Sequence, residues 1–183
     1  MQRVAVFCGS RHGAEPAYRR AAEELAALLV QRELSLVYGG GNVGLMGVLA
    51  DSVMAGGGEV IGVIPEKLRA REVAHQGITD LQVVGSMHER KERIYRLADA
   101  VVALPGGIGT FEELFEALTW NQLGIHRKPC GLLNVEGYYD PLVAMIERAH
   151  EMEFFPRHRE LLAVASDAGA LLDELAARAE KPA

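Results

Sequence analysis

Strand-length apolar runs followed by longer stretches of helical periodicity repeat along this 183-residue chain, and few folds accept such a pattern. Arg3 to Cys8, Leu34 to Tyr38, Glu59 to Ile64, Leu81 to Val84, Ala100 to Leu104, Gly131 to Asn134 and Leu161 to Ala165 read as strands. Pro16 to Gln31, Leu45 to Ala55, Met87 to Ala98, Thr110 to Leu123, Pro141 to Glu151 and Ala168 to Ala179 read as helices. Parallel strands need a crossover of a dozen or so residues between them, and the helical segments supply it. The expected fold is α/β: a Rossmann-like, doubly wound parallel sheet with helices on both faces. One domain over residues 1–179 is expected, with 180–183 as a frayed tail. Lys67 to Asp80 lacks apolar periodicity and is expected to loop over one face.

Lys and Arg total 19 against 25 Asp and Glu, so the net charge is -6 and no general affinity for nucleic acid or anionic membrane is expected. An anionic small molecule then needs a local basic patch. Apolar runs fall short of the roughly 20 residues that span a bilayer, and the opening residues lack signal-peptide features, so a cytoplasmic protein is expected. Cys8 and Cys130 lie far apart within apolar strands and read as reduced core thiols.

In open parallel sheets, ligands gather beyond the carboxyl ends of the strands. Two loops there are rich in glycine. The first, Gly39-Gly40-Gly41-Asn42-Val43-Gly44, satisfies the G-x-G-x-x-G spacing, but it follows the second strand rather than the first and lacks the acidic partner of a dinucleotide site. It reads as a phosphate-approaching turn or a tight structural one, with Gly40 and Gly41 as candidate contacts. No Walker lysine follows it. The second, Pro105-Gly106-Gly107-Ile108-Gly109-Thr110, leads into a helix whose Thr110 and Glu113 have capping-box spacing. Backbone amides at such a helix start form an anion cradle.

Ser86 and Glu89 have capping-box spacing too, so Arg90 and Lys91 enter the first turns of the next helix. Met87, Arg90, Ile94 and Leu97 share one face, which turns Arg90 toward the core, where Glu72, Glu113 or a ligand phosphate must meet its charge. His88 is the histidine nearest this region. His12, His75, His126, His150 and His158 read as surface positions, and Phe111, Phe115, Leu118 and Trp120 as core or subunit interface.

The string Pro105-Gly106-Gly107-Ile108-Gly109-Thr110-Phe111-Glu112-Glu113 resembles the P-G-G-x-G-T-x-x-E signature of the Lonely guy (LOG) family. Further matches run through Val6 to Ser10, Leu36 to Gly41, Gly44 to Gly47, Val60 to Pro65, Met87 to Lys91, Thr119 to Gly124 and Gly131 to Tyr139. The resemblance implies a cytokinin riboside 5'-monophosphate phosphoribohydrolase on a modified Rossmann fold, working as a homodimer with its site near the interface. It implies Arg90 and Glu113 as the catalytic pair, with Glu72, Lys91, Gly107, Ile108, Gly109, Thr110, Glu112 and Thr119 contacting the nucleotide. No cofactor and no metal are expected. The alternatives are a nucleosidase for plain AMP and a nucleotide or molybdenum-cofactor carrier without turnover.

Overall fold

A computed structural model describes residues 1–70, 72–154 and 161–180. Among them the chain forms β1 (Arg3–Phe7), α1 (Pro16–Gln31), β2 (Ser35–Tyr38), α2 (Gly44–Ala55), β3 (Val60–Pro65), β4 (Asp80–Val84), α3 (Met87–Leu97), β5 (Ala100–Ala103), α4 (Ile108–Gln122), β6 (Cys130–Leu133), α5 (Asp140–Glu151), β7 (Leu162–Ala165) and α6 (Ala168–Ala179). Short 3-10 turns follow β3 and β6, at Glu66–Leu68 and Val135–Gly137. The strands form one parallel sheet in the order β4-β3-β2-β1-β5-β6-β7.

The winding follows from side-chain alternation. Val4 and Val6 face the layer of α1, α2 and α6, while Ala5 and Phe7 face α3, α4 and α5. β1, β5 and β6 are buried on both faces, which is why they read as continuous apolar runs. Every expected strand and helix is present, with ends shifted by a residue or two. The expected start of the last strand at Leu161 moves to Leu162, and of the tail Lys181 to Ala183 lie outside the described residues.

From β1 the chain winds outward to β4, then returns to lay β5 against the other side of β1. The loops after β1 and β5 therefore diverge and open a crevice at the sheet's carboxyl edge. A cleft of about 490 Å³ lies there, lined by residues of the Gly9–Gly13 and Pro105–Ile108 loops with Tyr18, Leu45 and Tyr138. The loops are tied beneath it by Gly9 N–H to the Pro105 carbonyl (3.1 Å) and Leu45 N–H to the Gly9 carbonyl (3.0 Å).

Among its described residues the crossover between β3 and β4 carries no α-helix. It runs as a strap over the carboxyl ends of β2 and β3, with Gly41 and Ala74 forming an antiparallel bridge. The expectation of a loop over one face holds, but this loop is pinned by backbone hydrogen bonds.

Candidate active site

Ser86 caps α3 by accepting from the Glu89 amide at 3.1 Å. The Glu89 carboxylate reaches past the cap to the Gly85 amide at 2.9 Å, so two donors at the helix start are satisfied. This start fixes the helix phase and turns Arg90 inward, where it is 5% exposed. Arg90 Nε donates to the Val63 carbonyl at 3.1 Å and Nη2 to the Gly39 carbonyl at 3.0 Å. Nη2 also meets Glu72 Oε2 at 3.5 Å. A guanidinium is a rigid fork of donors, so these contacts fix its plane as well as its charge.

Gly39 was not among the expected site residues, yet Arg90 depends on it: a Cβ there would collide with the guanidinium. Gly40 adopts φ +77, a left-handed conformation that a side chain disfavours, and it turns the chain under the strap. Its carbonyl accepts from the His75 amide at 3.0 Å, and the Asn42 amide is shared between the Glu72 and Val73 carbonyls at 3.0 and 2.9 Å. The first glycine loop thus holds the strap that carries Glu72. Arg71, its sequence neighbour, lies outside the described residues.

The expected capping box at Thr110 is not formed. Gly107 is the N-cap of α4, without a side-chain cap, and Thr110 is buried in the first turn at 4% exposure. Starting three residues early exposes Gly107, Ile108 and Gly109, and the first-turn amides, which lack intrahelical partners, stand at the cleft rim. The carbonyls before them are braced from the β6 side, Leu104 by the Tyr139 hydroxyl at 2.6 Å and Gly106 by the Tyr138 hydroxyl. Neither tyrosine was singled out from sequence, although both lie in the matched Gly131 to Tyr139 segment.

Glu113 projects from α4 and is half-buried. Loss of hydration pushes its carboxyl up to about 7, against the pull of Arg90; Glu112 and Glu72 push it further up and Lys91 draws it back. A carboxyl poised near neutrality beside a fixed arginine is what proton transfer at physiological pH requires.

Lys91 is buried between Glu112 Oε1 at 2.7 Å and Glu116 Oε1 at 2.8 Å. Burial favours its neutral form, but the hydrogen bonds and charges of the two carboxylates outweigh that and raise its pKa. Lys91 and Glu112 are therefore engaged with each other, joining α3 to α4. Thr119 lies six residues beyond Glu113 on α4. It is exposed, its hydroxyl donates to the Phe115 carbonyl at 2.6 Å, and it shares an outward stripe with Ile108, Phe115 and Leu123.

Of the aromatic group, Leu118 is core, Phe111 packs on Tyr139 at 6.3 Å, Trp120 stacks near Tyr95 at 4.9 Å, and Phe115 is exposed. Of the histidines expected on the surface, His75 is 7% exposed and His126 is half-buried against Tyr95 and Trp120. His12 and His88 are exposed, His150 is half-buried, and His158 lies outside the described residues. Cys8 and Cys130 are free and buried, and burial raises both thiols, Cys130 up to about 12, so neither is a ready nucleophile.

A family model described as "possible lysine decarboxylase" matches residues 46–175. The probable cytokinin riboside 5'-monophosphate phosphoribohydrolase LOGL9 of Oryza sativa subsp. japonica is 53% identical over 175 residues, 95% of this chain and 77% of that protein. The chain belongs to the LOG family. The cytokinin riboside 5'-monophosphate phosphoribohydrolase LOG7 of Arabidopsis thaliana, also of this family, is 49% identical over 95% of this chain and 81% of its own. Among solved structures, the molybdenum cofactor binding protein of Rippkaea orientalis superposes with a TM-score of 0.72 at 24% identity, covering 96% of each chain. The molybdenum cofactor carrier protein of Chlamydomonas reinhardtii gives 0.72 at 21% identity over 96% of this chain and 98% of that one. Those two likenesses establish the shared fold.

A lysine decarboxylase of the pyridoxal type needs a lysine free to form a Schiff base. Lys91, the sequence neighbour of Arg90, is held as an ammonium by two carboxylates, so the residues do not fit that cofactor.

Proposed function

We propose that this LOG protein hydrolyses the N-glycosidic bond of purine nucleoside 5'-monophosphates, N6-isoprenoid AMP or AMP itself, giving free base and ribose 5-phosphate. The observation that carries this is the Arg90–Glu72–Glu113 cluster: a fixed cation and a carboxyl poised near neutrality, at the carboxyl edge beside an anion-accepting helix start. The first-turn amides of α4 hold the 5'-phosphate. As the bond to the base nitrogen breaks, its electron pair leaves with the base and the sugar takes on oxocarbenium character. Glu113, as carboxylate, steadies that cation and takes a proton from the attacking water, whose oxygen joins the anomeric carbon; the departing base takes up a proton from solvent, and Glu113 gives its own back to solvent to restore the carboxylate. Arg90 cannot act as an acid at neutral pH and works electrostatically, on substrate or departing base.

The test is incubation of purified protein with AMP and with N6-isopentenyl-AMP, following free base by chromatography. Base release by wild type and not by Glu113→Gln supports the hydrolase, and the ratio between substrates reports preference. Nucleotide bound without base release identifies a carrier. Among the described residues no group of three or more His, Cys, Asp or Glu is arranged to hold a metal. Turnover is therefore expected to persist, within about twofold, after dialysis against EDTA; loss restored by a divalent cation would overturn this.

We also assign a homodimer. The α4 stripe of Ile108 (81% exposed), Phe115 (42%) and Leu123 (67%), continued by Ile125 (62%), is too apolar to suit solvent, and a second copy covering it would bring Thr119 into an interface. Leu123→Glu is expected to shift the sedimenting species from dimer to monomer; an unchanged dimer would place the interface elsewhere. The unpaired buried thiols favour a reducing, cytoplasmic setting, and no helix among the described residues is long and apolar enough to cross a membrane.

A further inference from the structure

The strap places Glu72 against Arg90, yet among the described residues between Leu68 and Asp80 it has no helix to stiffen it. Backbone hydrogen bonds pin it to the first glycine loop, and the side chain of His75 adds the tie to α2. Its ring is buried, Nδ1 accepts from the Gly77 amide at 3.2 Å, and Nε2 lies 2.8 Å from Asp51 Oδ1. An Nδ1 that accepts leaves Nε2 as the protonated nitrogen, so the bond to Asp51 is a donation from the ring to a carboxylate on α2. The His75 amide adds a third tie, to the Gly40 carbonyl at 3.0 Å. One residue thus joins the strap to α2 and to the loop whose Gly39 carbonyl holds Arg90.

The segment needs such a tie. Val73, next to Glu72, sits at φ +49, in the left-handed region that a β-branched residue avoids. Strain of this kind persists only where surrounding contacts over-determine it, and it gathers at functional sites. Release of His75 lets Val73 relax toward an ordinary φ, and because Val73 is covalently joined to Glu72, the carboxylate moves with it.

We infer that His75 and Asp51 form a latch that positions Glu72 for substrate, making His75 a positioning residue for this site. The inference rests on the phosphoribohydrolase reading for its kinetic consequence, while the latch itself is readable without turnover. Asp51 is 64% exposed at its side chain, so Asp51→Ala removes the partner with little threat to folding.

The experiment is a double-mutant cycle of Asp51→Ala and His75→Ala on the full chain, with His75→Gln as the conservative variant, since its amide can still donate to Asp51. Amide exchange of residues 72–75, without ligand, is expected to quicken at least about tenfold in either single variant and no further in the double. With N6-isopentenyl-AMP, KM is expected to rise about fivefold to tenfold while kcat stays within about twofold, and His75→Gln to recover most of the loss. A merely structural role would lower kcat with the active fraction and leave KM alone, which would overturn the positioning role. Wild-type exchange rates in both single variants would overturn the latch. If wild type releases no base, the exchange arm alone decides the latch, and the failure belongs to the hydrolase reading.

Discussion

Glu113→Gln is expected to lower kcat by at least about a hundredfold, the usual scale for a side chain that handles a proton in the transition state, while the protein stays folded. The amide keeps the volume and most hydrogen bonding of the carboxyl, so the loss isolates its charge and proton. With the carboxyl raised to about 7 and the carboxylate as the working form, wild-type kcat/KM should rise with pH through neutrality and level off above it. That limb should vanish in the variant. A limb falling above pH 7 would make Glu113 an acid to the leaving base, and near wild-type turnover in the variant would remove it from the chemistry.

The same raised carboxyl makes a stability prediction of opposite direction. Glu113 binds its proton more tightly folded than unfolded, so what it contributes to stability is fully present below its ordinary value of 4.5 and is lost as pH rises to about 7. That interval corresponds to about 3 kcal/mol at most, and the partial exposure of the side chain reduces it to about 2. Glu113→Gln should therefore match wild type near pH 4 and melt roughly 5 °C higher at pH 8. A variant less stable than wild type at pH 8 would contradict the burial cost. Activity lost with stability gained is the mark of a group kept for function.

What could be read from sequence divides along the range of the interactions involved. α3 was legible because its determinants are local: Ser86 and Glu89 set the start, and four-residue spacing to Ile94 sets the face of Arg90. The doubly wound sheet was legible for the same reason, since strand-length apolar runs and helical segments follow one another along the chain. Thr110 was misread because a threonine and a glutamate three apart look like a cap in any context. Gly107, with no side chain to offer, takes the cap position and moves the helix start upstream. His75 was misread because its partners lie in other elements, Asp51 on α2 and Gly40 after β2, and no local pattern announces them. Lys91 illustrates the limit from the other side: the face that turns Arg90 inward says nothing of its neighbour, and only the packing of α3 on α4 shows Lys91 buried with two carboxylates claiming its charge.

Arg90→Ala is expected to reduce kcat/KM by at least about a hundredfold, the scale seen when a preorganised donor at a site of developing charge is removed. Arg90→Lys should recover less than about a tenth of that loss. An ammonium is a point charge, and it cannot reach the Val63 and Gly39 carbonyls and Glu72 together as a planar fork does. Gly39→Ala offers the complementary test. The substituted residue keeps an ordinary φ, yet its methyl occupies guanidinium space, so Arg90 must shift off both carbonyls with its charge intact. If charge alone matters, Gly39→Ala will turn over almost normally and Arg90→Lys will be a fair substitute. If the fixed plane matters, both variants will fall together, by at least about tenfold, because a misplaced catalytic group forfeits its preorganisation. The split between constants then assigns the charge: a rise in KM alone places it on bound substrate, and a fall in kcat places it on the departing base.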